Sequence, residues 1–403
     1  MSTICLINGT IFTGITTLKN SSIIISDGII NDVMSAERFA KKTLPEDSRI
    51  IDLKGAKAAP GFIDSHIHGI GGFGTEDCTP HSLLKMSMIL PEYGVTGFCP
   101  TIYPQPHDKM LMAIRSVVDA MGQEKGAEIL GIHMEGPFIS PEKAGVQRSE
   151  FMRLPDIELM KEFWKTSEGK IISMTVAPEL KGMRELSHYC LNNGIILQAG
   201  HSNANYNQMV EGIQAGIIHS THFFNAMRRL HHRDPGVAGA ILIHPEVSCE
   251  IIPDGYHVHP ALIKLLLNEK PVDKIIMVTD ALKPTMQKSG TMIANGEEVY
   301  LDAEDGNIFR RKSDDVIAGS SLTMLGGVKY LTEIGIPLEN GLRMAGSNPA
   351  QVLGLQNDRG TILPGKRADI TVFNDYFDII LTMREGKIVT GLTVDPHEIS
   401  DRH

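Results

Sequence analysis

Short apolar runs, spaced along the middle of the chain, are the feature that most restricts the fold. Eight such runs occupy residues 60–64, 95–101, 129–133, 171–177, 195–199, 217–221, 248–253 and 274–279. Continuous apolar runs of this length are typical of parallel strands that are buried on both faces. Stretches with helical spacing separate them, as where Thr79 and Pro80 provide an N-cap and a first-turn proline. Strands alternating with helices predict an α/β fold, a (β/α)8 barrel of the TIM type.

Both ends of the chain have a different sequence pattern, in which short β-type runs are separated by turn residues. Runs 4–7, 22–26 and 49–53 come early, and runs 369–373 and 379–383 come late. The pairs Asn8-Gly9, Asp27-Gly28 and Glu385-Gly386 are predicted turns. We therefore expect a small β-sandwich domain built from residues 1–58 and 359–403, beside a barrel formed by residues 59–358.

Composition excludes several classes of protein. The chain has 403 residues and a net charge of -10, with 38 basic and 48 acidic side chains. This balance argues against a general nucleic-acid binder, although a local cationic pocket could still bind a small anion. Neither a signal peptide nor an apolar stretch long enough for a membrane span is recognisable. Five cysteines without a C-x-x-C pair indicate free thiols in a reducing compartment, and we expect a cytoplasmic protein.

The first two candidate metal-binding motifs follow the first and third apolar runs. His66 and His68 are two residues apart at a strand end, so their imidazoles point to the same side and can hold one cation. Glu135 follows a buried strand, where a carboxylate is costly unless it is paired or bound to metal. The alternatives are two surface histidines in a loop and a salt-bridged glutamate at a turn.

Three further candidates follow later runs. His201 and His222 end the fifth and sixth runs, and Asp280 ends the eighth. A single histidine in such a place is more often structural, and a single aspartate can simply cap the next helix. Asp280 could also act as a general base on a metal-bound water. The carboxyl ends of barrel strands share one face, so these residues and the earlier motifs predict a site for Zn²⁺, Fe²⁺, Co²⁺ or Mn²⁺.

Two residues after the sixth and seventh runs are candidates for anion binding. Arg233 and His257 could each neutralise a substrate phosphate, or could be ordinary surface charges. The other histidines of these segments are expected to be structural or exposed to solvent: His231, His232, His244 and His259.

Taken together, the motifs resemble those of the amidohydrolase superfamily. The set G-F-I-D-x-H-x-H-G, H-x-E-G-P-F, G-H-S, T-H-x-F-N-A-M and T-D-A resembles in particular the N-acetylglucosamine-6-phosphate deacetylase family. The likeness runs nearly end to end and includes Gly319-Ser320 and the segment 363–369. It implies a metal-dependent hydrolase that converts N-acetyl-D-glucosamine 6-phosphate to glucosamine 6-phosphate and acetate.

The resemblance also implies roles for the metal-binding candidates. Glu135, His201 and His222 would bind the metal that all members hold. His66 and His68 match a second metal site that some members lose, with Glu135 bridging the two. Asp280 matches the catalytic aspartate and completes the set of possible ligands, so one or two divalent ions per subunit are expected.

Substrate contacts are implied in the same way. Arg233 and His257 match phosphate-binding positions, with the arginine supplied by the neighbouring subunit of a homodimer. Asn225 and Ala226 match main-chain contacts to the substrate. Gln147 stands where some members have a histidine that contacts the sugar or acetyl group, so acetyl recognition here departs from that pattern.

Two other functions compete with this interpretation. One is a different amidohydrolase, acting on a related N-acyl sugar phosphate or on a cyclic amide, as dihydroorotases and purine or imidazolone hydrolases do. Many cyclic-amide hydrolases bridge their metals with a carboxylated lysine, whereas this chain has Glu135. The other is a non-catalytic scaffold, a class that usually loses metal ligands, which this chain keeps.

Overall fold

The barrel predicted from the apolar runs is present in the computed structural model, which describes residues 3–287, 291–302 and 308–391. Eight parallel strand segments lie around it in chain order, and the third is preceded by a short piece, Glu128–Ile129. This arrangement confirms the α/β fold class. The strands are Phe62–Ile67, Val95–Ile102, Ile132–Glu135, Ile171–Val176, Ile196–Ala199, His219–Ser220, Ser248–Ile251 and Ile275–Met277.

The first and eighth strands meet through a small set of contacts at their carboxyl ends. The main-chain N–H of Asp280 donates to the carbonyl of His66 (3.0 Å), and that of His68 donates to the carbonyl of Ala281 (2.9 Å). Nearby, the hydroxyl of Thr279 donates to the buried carboxylate of Asp64 (2.6 Å). The candidate residues on these two strands are therefore brought to one place by the closure of the barrel.

Helices between the strands cover the outside of the barrel. The hydroxyl of Thr79 caps the helix that begins at Pro80, as predicted. In the next helix Met110, Ile114 and Val117 are buried on the face that packs into the main apolar core. The helices are Ala36–Phe39, Pro80–Ile89, His107–Ala120, Ile157–Thr166, Met183–Asn192, Tyr206–Gln214, Gly236–Ile243, Pro260–Glu269, Met324–Glu333, Leu338–Leu342 and Asn348–Val352. Shorter 3₁₀ turns are Thr75–Asp77, Leu90–Tyr93, Pro141–Lys143, Ser149–Phe151 and Val272–Lys274, and Arg343–Ser347 is a π-helical turn.

The two chain ends form one sheet, which confirms the predicted small β domain. It has its own apolar core, separate from that of the barrel. The strand order is Lys387–Gly391, Ile379–Arg384, Ile370–Phe373, Lys57–Pro60, Thr3–Phe12, Thr17–Ser26 and Ile29–Ser35, with Arg49–Asp52 also paired to Thr3–Phe12. The domain boundaries at 58/59 and 358/359 stay a proposal, and residues 1–2 and 392–403 of the expected domain lie outside the described residues.

One predicted turn in this sheet is wrong. Asn8-Gly9 was expected to end a strand, but the strand continues to Phe12 and the pair forms a bulge, with Asn8 at φ 56°. A Cβ at Gly9 would lie 2.6 Å from the side chain of Leu53, so close packing explains the glycine. The pairs Asp27-Gly28 and Glu385-Gly386 form turns as predicted.

A four-stranded antiparallel sheet interrupts the barrel sequence after the eighth strand, and the sequence patterns did not predict it. Its small apolar core includes Tyr103 and Leu282 from the barrel and Phe309 from the sheet. It carries the segment 316–319 to the carboxyl end of the barrel. The strands are Thr291–Ala294, Glu297–Leu301, Ile308–Arg311 and Ile317–Ser320, and a separate hairpin pairs Gly69–Ile70 with Phe73–Gly74.

Two expectations drawn from composition can be compared with the described residues. Across these ranges, none of the helices has both the length and the apolar character needed to cross a bilayer. All five cysteines are free thiols, as predicted, and four of them are buried.

Candidate active site

Six side chains converge at the carboxyl end of the barrel, and they are the six that the sequence predicted as ligands. They form two groups, and within each group the possible ligand atoms lie within 4.8 Å of one another. The first group is His66, His68 and Asp280, and the second is Glu135, His201 and His222.

The carboxylate of Glu135 lies between the two groups. Its Oε1 atom is 3.0 Å from Nε2 of both His201 and His222. On the other side, Oε1 is 3.6 Å from Nε2 of His66, and Oε2 is 3.3 Å from Nε2 of His68. One carboxylate thus faces four imidazoles, an arrangement that suits a bridge between two cations.

The donor atoms fit divalent cations better than they fit one another. Nε2 of His66 is buried and has no hydrogen-bond partner among the described residues. Nε2 of His201 and Nε2 of His222 face each other at 3.2 Å. Buried polar atoms normally have partners, so an unpartnered Nε2 atom beside other converging imidazole nitrogens is typical of a metal site. Nitrogen and oxygen donors without thiolates suit Zn²⁺, Fe²⁺, Co²⁺ or Mn²⁺.

Contacts behind the ligands fix the orientation of two imidazoles. Nδ1 of His68 lies 3.2 Å from the carbonyl oxygen of Thr101, and its ring stacks on Tyr103 with centroids 3.7 Å apart. Nδ1 of His201 lies 2.9 Å from the carbonyl oxygen of Lys143. Each carbonyl accepts a hydrogen bond from Nδ1, which leaves Nε2 to face the site.

A buried glutamate behind His66 is not part of any of the sequence motifs. Glu250 lies in the seventh barrel strand, and its Oε2 atom is 3.1 Å from Nδ1 of His66. Burial alone would raise the pKa of Glu250, but the neighbouring imidazoles of His219 and His66 hold it well below its ordinary range. The available signal was an acidic residue inside an apolar run, where a carboxylate needs a partner.

Electrostatics keep the carboxylates of the site ionised. Burial would raise the pKa of Glu135, but its contacts with the imidazoles of His201 and His222 hold it well below its usual value. Burial has the same tendency at Asp280, and a hydrogen bond with His68 lowers the pKa instead. Ionised carboxylates are the form that binds cations and accepts protons.

Several residues of the site adopt backbone conformations that side chains other than glycine rarely occupy. His201, His222 and Asp280 have φ angles of 45°, 22° and 49°. Ala226 has a φ angle of 47°. Such conformations cost energy and occur preferentially where a fold positions functional groups. Here they turn side chains at three strand ends toward one point.

A cavity of about 180 Å³ opens above the six candidate ligands. Four of the five predicted substrate-binding residues line it: Gln147, Asn225, Ala226 and His257. The amide nitrogen of Gln147 donates to Oε2 of Glu135. The rest of the wall includes Tyr103 and the segment 316–319 of the four-stranded sheet, neither of which was predicted as part of a site.

His257 lies in the cavity wall beside the carboxylate of Asp254. Its Nδ1 atom is hydrogen-bonded to Oδ2 of Asp254 at 2.5 Å. Burial alone would lower the pKa of His257, but the charge of Asp254 and this hydrogen bond raise it above the usual value. An imidazolium in this position can attract an anionic part of a ligand.

Arg233, the fifth predicted substrate residue, does not line the cavity of its own chain. It lies in an exposed loop, where Nη1 is 2.9 Å from Nε2 of His232. His231, His232 and His259 are also exposed, and His244 is half-buried. These four positions agree with the expectation of structural or solvent-facing histidines.

Comparison with known proteins agrees with the motifs and the geometry. Residues 58–389 match the amidohydrolase family, and residues 5–57 match the NagA composite domain. An N-acetylglucosamine-6-phosphate deacetylase from Bacillus subtilis is 34% identical over 380 residues, covering 92% of this chain and 93% of that protein. An N-acetylgalactosamine-6-phosphate deacetylase from Escherichia coli O157:H7 is 28% identical over 375 residues, covering 93% and 96%.

A solved structure is similar over nearly the whole chain. The crystal structure of N-acetylglucosamine-6-phosphate deacetylase from Pasteurella multocida aligns with a TM-score of 0.88 and 31% identity, and covers 96% of this chain and 99% of that one. The chain has the barrel, the sheet of both chain ends and the two groups of candidate ligands described above. It therefore belongs to the amidohydrolase family and, within it, to the N-acetylglucosamine-6-phosphate deacetylase family.

Proposed function

We propose that the protein hydrolyses the acetamide of N-acetyl-D-glucosamine 6-phosphate to glucosamine 6-phosphate and acetate, a reaction of amino sugar metabolism. The observation that carries the proposal is the placement of two ligand groups around Glu135 at the base of a cavity. A cation site below a cavity with a cationic wall can hold an acetamide at one end and a phosphate at the other. Binding the distant phosphate would fix the acetamide in place.

We propose that the six side chains would hold one or two divalent ions, and that Glu135, which faces histidines of both groups, would contribute to both sites. The donor set is compatible with Zn²⁺, Fe²⁺, Co²⁺ or Mn²⁺. When bound, such an ion lowers the pKa of water and polarises a carbonyl oxygen. Metal content after purification and metal-dependent turnover would identify the ion.

Asp280 is the residue that we propose moves the proton. Its carboxylate lies in the first ligand group and also lines the cavity. As water attacks the acetamide carbonyl, Asp280 accepts a proton from the water. Asp280 then donates this proton to the sugar nitrogen, because an amine leaves poorly unless it is protonated.

Two side chains of the cavity would position the substrate. Gln147 hydrogen-bonds the carboxylate of Glu135 and lines the cavity beside it, so its amide can reach the acetamide. His257 would pair with the phosphate, and the main chain at Asn225 and Ala226 would contact the sugar. These roles follow from the family resemblance and are supported by the position of all four residues in the cavity wall.

The direct experiment measures acetate release from N-acetylglucosamine 6-phosphate and from unphosphorylated N-acetylglucosamine, with and without a chelator. We expect activity that needs both the phosphate and the metal. Turnover that persists after metal removal, with removal verified by elemental analysis, would contradict the metal-dependent mechanism. Failure to cleave either sugar with metal bound would reject this substrate.

A related N-acyl sugar phosphate is a second candidate substrate. The E. coli relative carries the name of an N-acetylgalactosamine-6-phosphate deacetylase, and it covers 93% of this chain. The two sugars differ in the orientation of one hydroxyl group, and an altered hydrogen bond in a buried site can discriminate strongly. Comparing kcat/KM for the two sugar phosphates decides between them.

We further propose a homodimer in which Arg233 reaches the cavity of the neighbouring subunit. The exposed loop of Arg233, outside the cavity of its own chain, supports this arrangement. A cytoplasmic location is proposed from the number and spacing of the cysteines. Sedimentation of the purified protein tests the dimer, and cell fractionation tests the location.

A further inference from the structure

We propose that Glu250 is a positioning residue that holds His66 with Nε2 facing the first ligand group, and thereby sets the affinity of that group for its ion. The inference deepens the proposed function, because it presumes that divalent ions bind at the six ligands. Glu250 itself lies behind His66 and is not among those six.

The hydrogen bond between the two side chains determines which nitrogen of His66 carries the proton. Oε2 of Glu250 is 3.1 Å from Nδ1 of His66, and both side chains are fully buried. An ionised carboxylate only accepts hydrogen bonds, so Nδ1 of a neutral His66 must carry the hydrogen. The lone pair of Nε2 then points toward the ligand group. This agrees with the absence of a partner for Nε2 among the described residues.

Glu250 is itself held from several sides. Its Oε1 atom lies 3.6 Å from Nε2 of His219, whose Nδ1 is 2.7 Å from the hydroxyl of Ser248. Its Oε2 atom accepts a hydrogen bond from the main-chain N–H of His222 (3.3 Å), and its carbonyl accepts one from Phe223 (2.7 Å). A carboxylate fixed in this way can fix the imidazole bound to it.

The four ligand histidines are supported differently, and the difference predicts which group depends on Glu250. Nδ1 of His68 and Nδ1 of His201 face neutral carbonyl oxygens. Nδ1 of His222 has no partner among the described residues. A carboxylate partner makes an imidazole a stronger metal ligand than a carbonyl does. Loss of Glu250 should therefore weaken the first group, which contains His66, more than the second.

The test measures metal binding directly. Metal-free full-length protein is titrated with Zn²⁺ in competition with a chromophoric chelator, for the wild type, Glu250→Gln and Glu250→Ala. We expect one of the two dissociation constants to rise by about 10- to 100-fold, the usual effect of removing such a partner. Glutamine keeps the shape and one acceptor oxygen, so its effect should be smaller than that of alanine. His68→Ala, which removes a ligand of the first group, marks the binding step that should be affected.

Glu128→Gln is the matched control, because it removes a carboxylate that is paired with Arg359 and Arg367 and is not among the six candidate ligands. It should leave both constants unchanged. Circular dichroism checks folding, and the nearly isosteric Gln variant serves if the Ala variant fails to fold. Unchanged constants in Glu250→Gln and Glu250→Ala, equal weakening of both steps, or a wild type that binds a single ion would each overturn the proposal. Acetate release by the wild type is measured separately and tests the proposed function.

Discussion

The Oδ1 atom of Asp280 lies 3.3 Å from the Nε2 atom of His68. The same carboxylate oxygen is 3.5 Å from Nε2 of His66, and Asp280 is also part of the cavity wall. A carboxylate that lies beside candidate metal ligands and also lines the cavity can serve both as a ligand and as a base. Its two possible contributions can be separated by replacing it with a side chain that keeps its shape.

We expect Asp280→Asn to lower kcat by about 10²- to 10⁴-fold, the range attributed to a positioned general acid or base. Asparagine keeps an oxygen toward His68 but cannot accept and return a proton. Elemental analysis of the same preparation should still find metal at the second group. Near-normal turnover with metal bound would contradict the proton-transfer role.

The pair of Asp254 and His257 predicts how substrate binding depends on pH. Asp254 raises the pKa of His257, so the imidazolium should persist above the ordinary histidine value of about 6.5. The attraction for phosphate is present below the raised pKa and is lost as the pH rises through it. KM for the phosphorylated sugar should increase accordingly with rising pH.

In Asp254→Asn the pKa of His257 should fall, and the increase in KM should begin at a lower pH. The phosphate of a sugar loses its second proton near pH 6, so measurements above about pH 7 separate the two titrations. His259→Ala, at an exposed histidine two positions away, should behave as the wild type. Superimposable KM profiles for the wild type and Asp254→Asn would refute this role of the pair.

Mixed dimers test the proposed exchange of Arg233 between subunits. We expect Arg233→Ala and Asp280→Asn each to be impaired, and their mixture, after subunit exchange, to recover about one quarter of the wild-type sites. In a heterodimer, the site with an intact Asp280 would receive Arg233 from its neighbour. Arg229→Ala, at an exposed arginine of the same segment, is the control and should need no complementation. Full activity of Arg233→Ala alone, or no recovery on mixing, would argue against the exchange.

Arg359 connects the sheet of the chain ends to the barrel, and its removal should cost stability. Its side chain is 5% exposed and lies 3.0 Å from Glu128 and 3.8 Å from Asp369. Arg359→Ala removes this cation while Arg367 still pairs with both carboxylates, so we expect the free energy of unfolding to fall by about 1.5 to 3 kcal/mol, the range for hydrogen bonds to charged groups. Arg115→Ala breaks an exposed pair with Glu168 and should cost less than about 1 kcal/mol. Equal effects in urea titrations would contradict the structural role of Arg359.

The sequence was sufficient to predict the barrel and the convergence of its six candidate ligands, because both depend on local patterns. Each ligand follows an apolar run, and parallel strands bring their carboxyl ends to one face. His66 and His68 were recognisable from their two-residue spacing. His201 and His222 were stronger candidates for metal binding together than singly, because they follow neighbouring strands.

Other features depend on contacts that local patterns do not encode. The four-stranded sheet has short strands whose core includes Tyr103 from a distant part of the chain, so its place above the site was not predictable. The role of Glu250 depends on its contact with His66, which is 184 positions away in the sequence. The bulge at Asn8-Gly9 looked like a turn because the same residues suit both.

Ion binding by the first group would also affect the stability of the barrel, because the residues of this group come from both sides of the seam between the first and eighth strands. His66 and His68 come from one side of the seam and Asp280 from the other, and among the described residues the main-chain hydrogen bonds between the two sides lie at or beyond the carboxyl ends of the strands. An ion bound there would tie the ends of the barrel together, and its binding free energy would add to the free energy of unfolding. The melting temperature of this enzyme would then rise with the concentration of free metal. The supply of the metal would therefore affect both the lifetime of the folded protein and its rate of turnover.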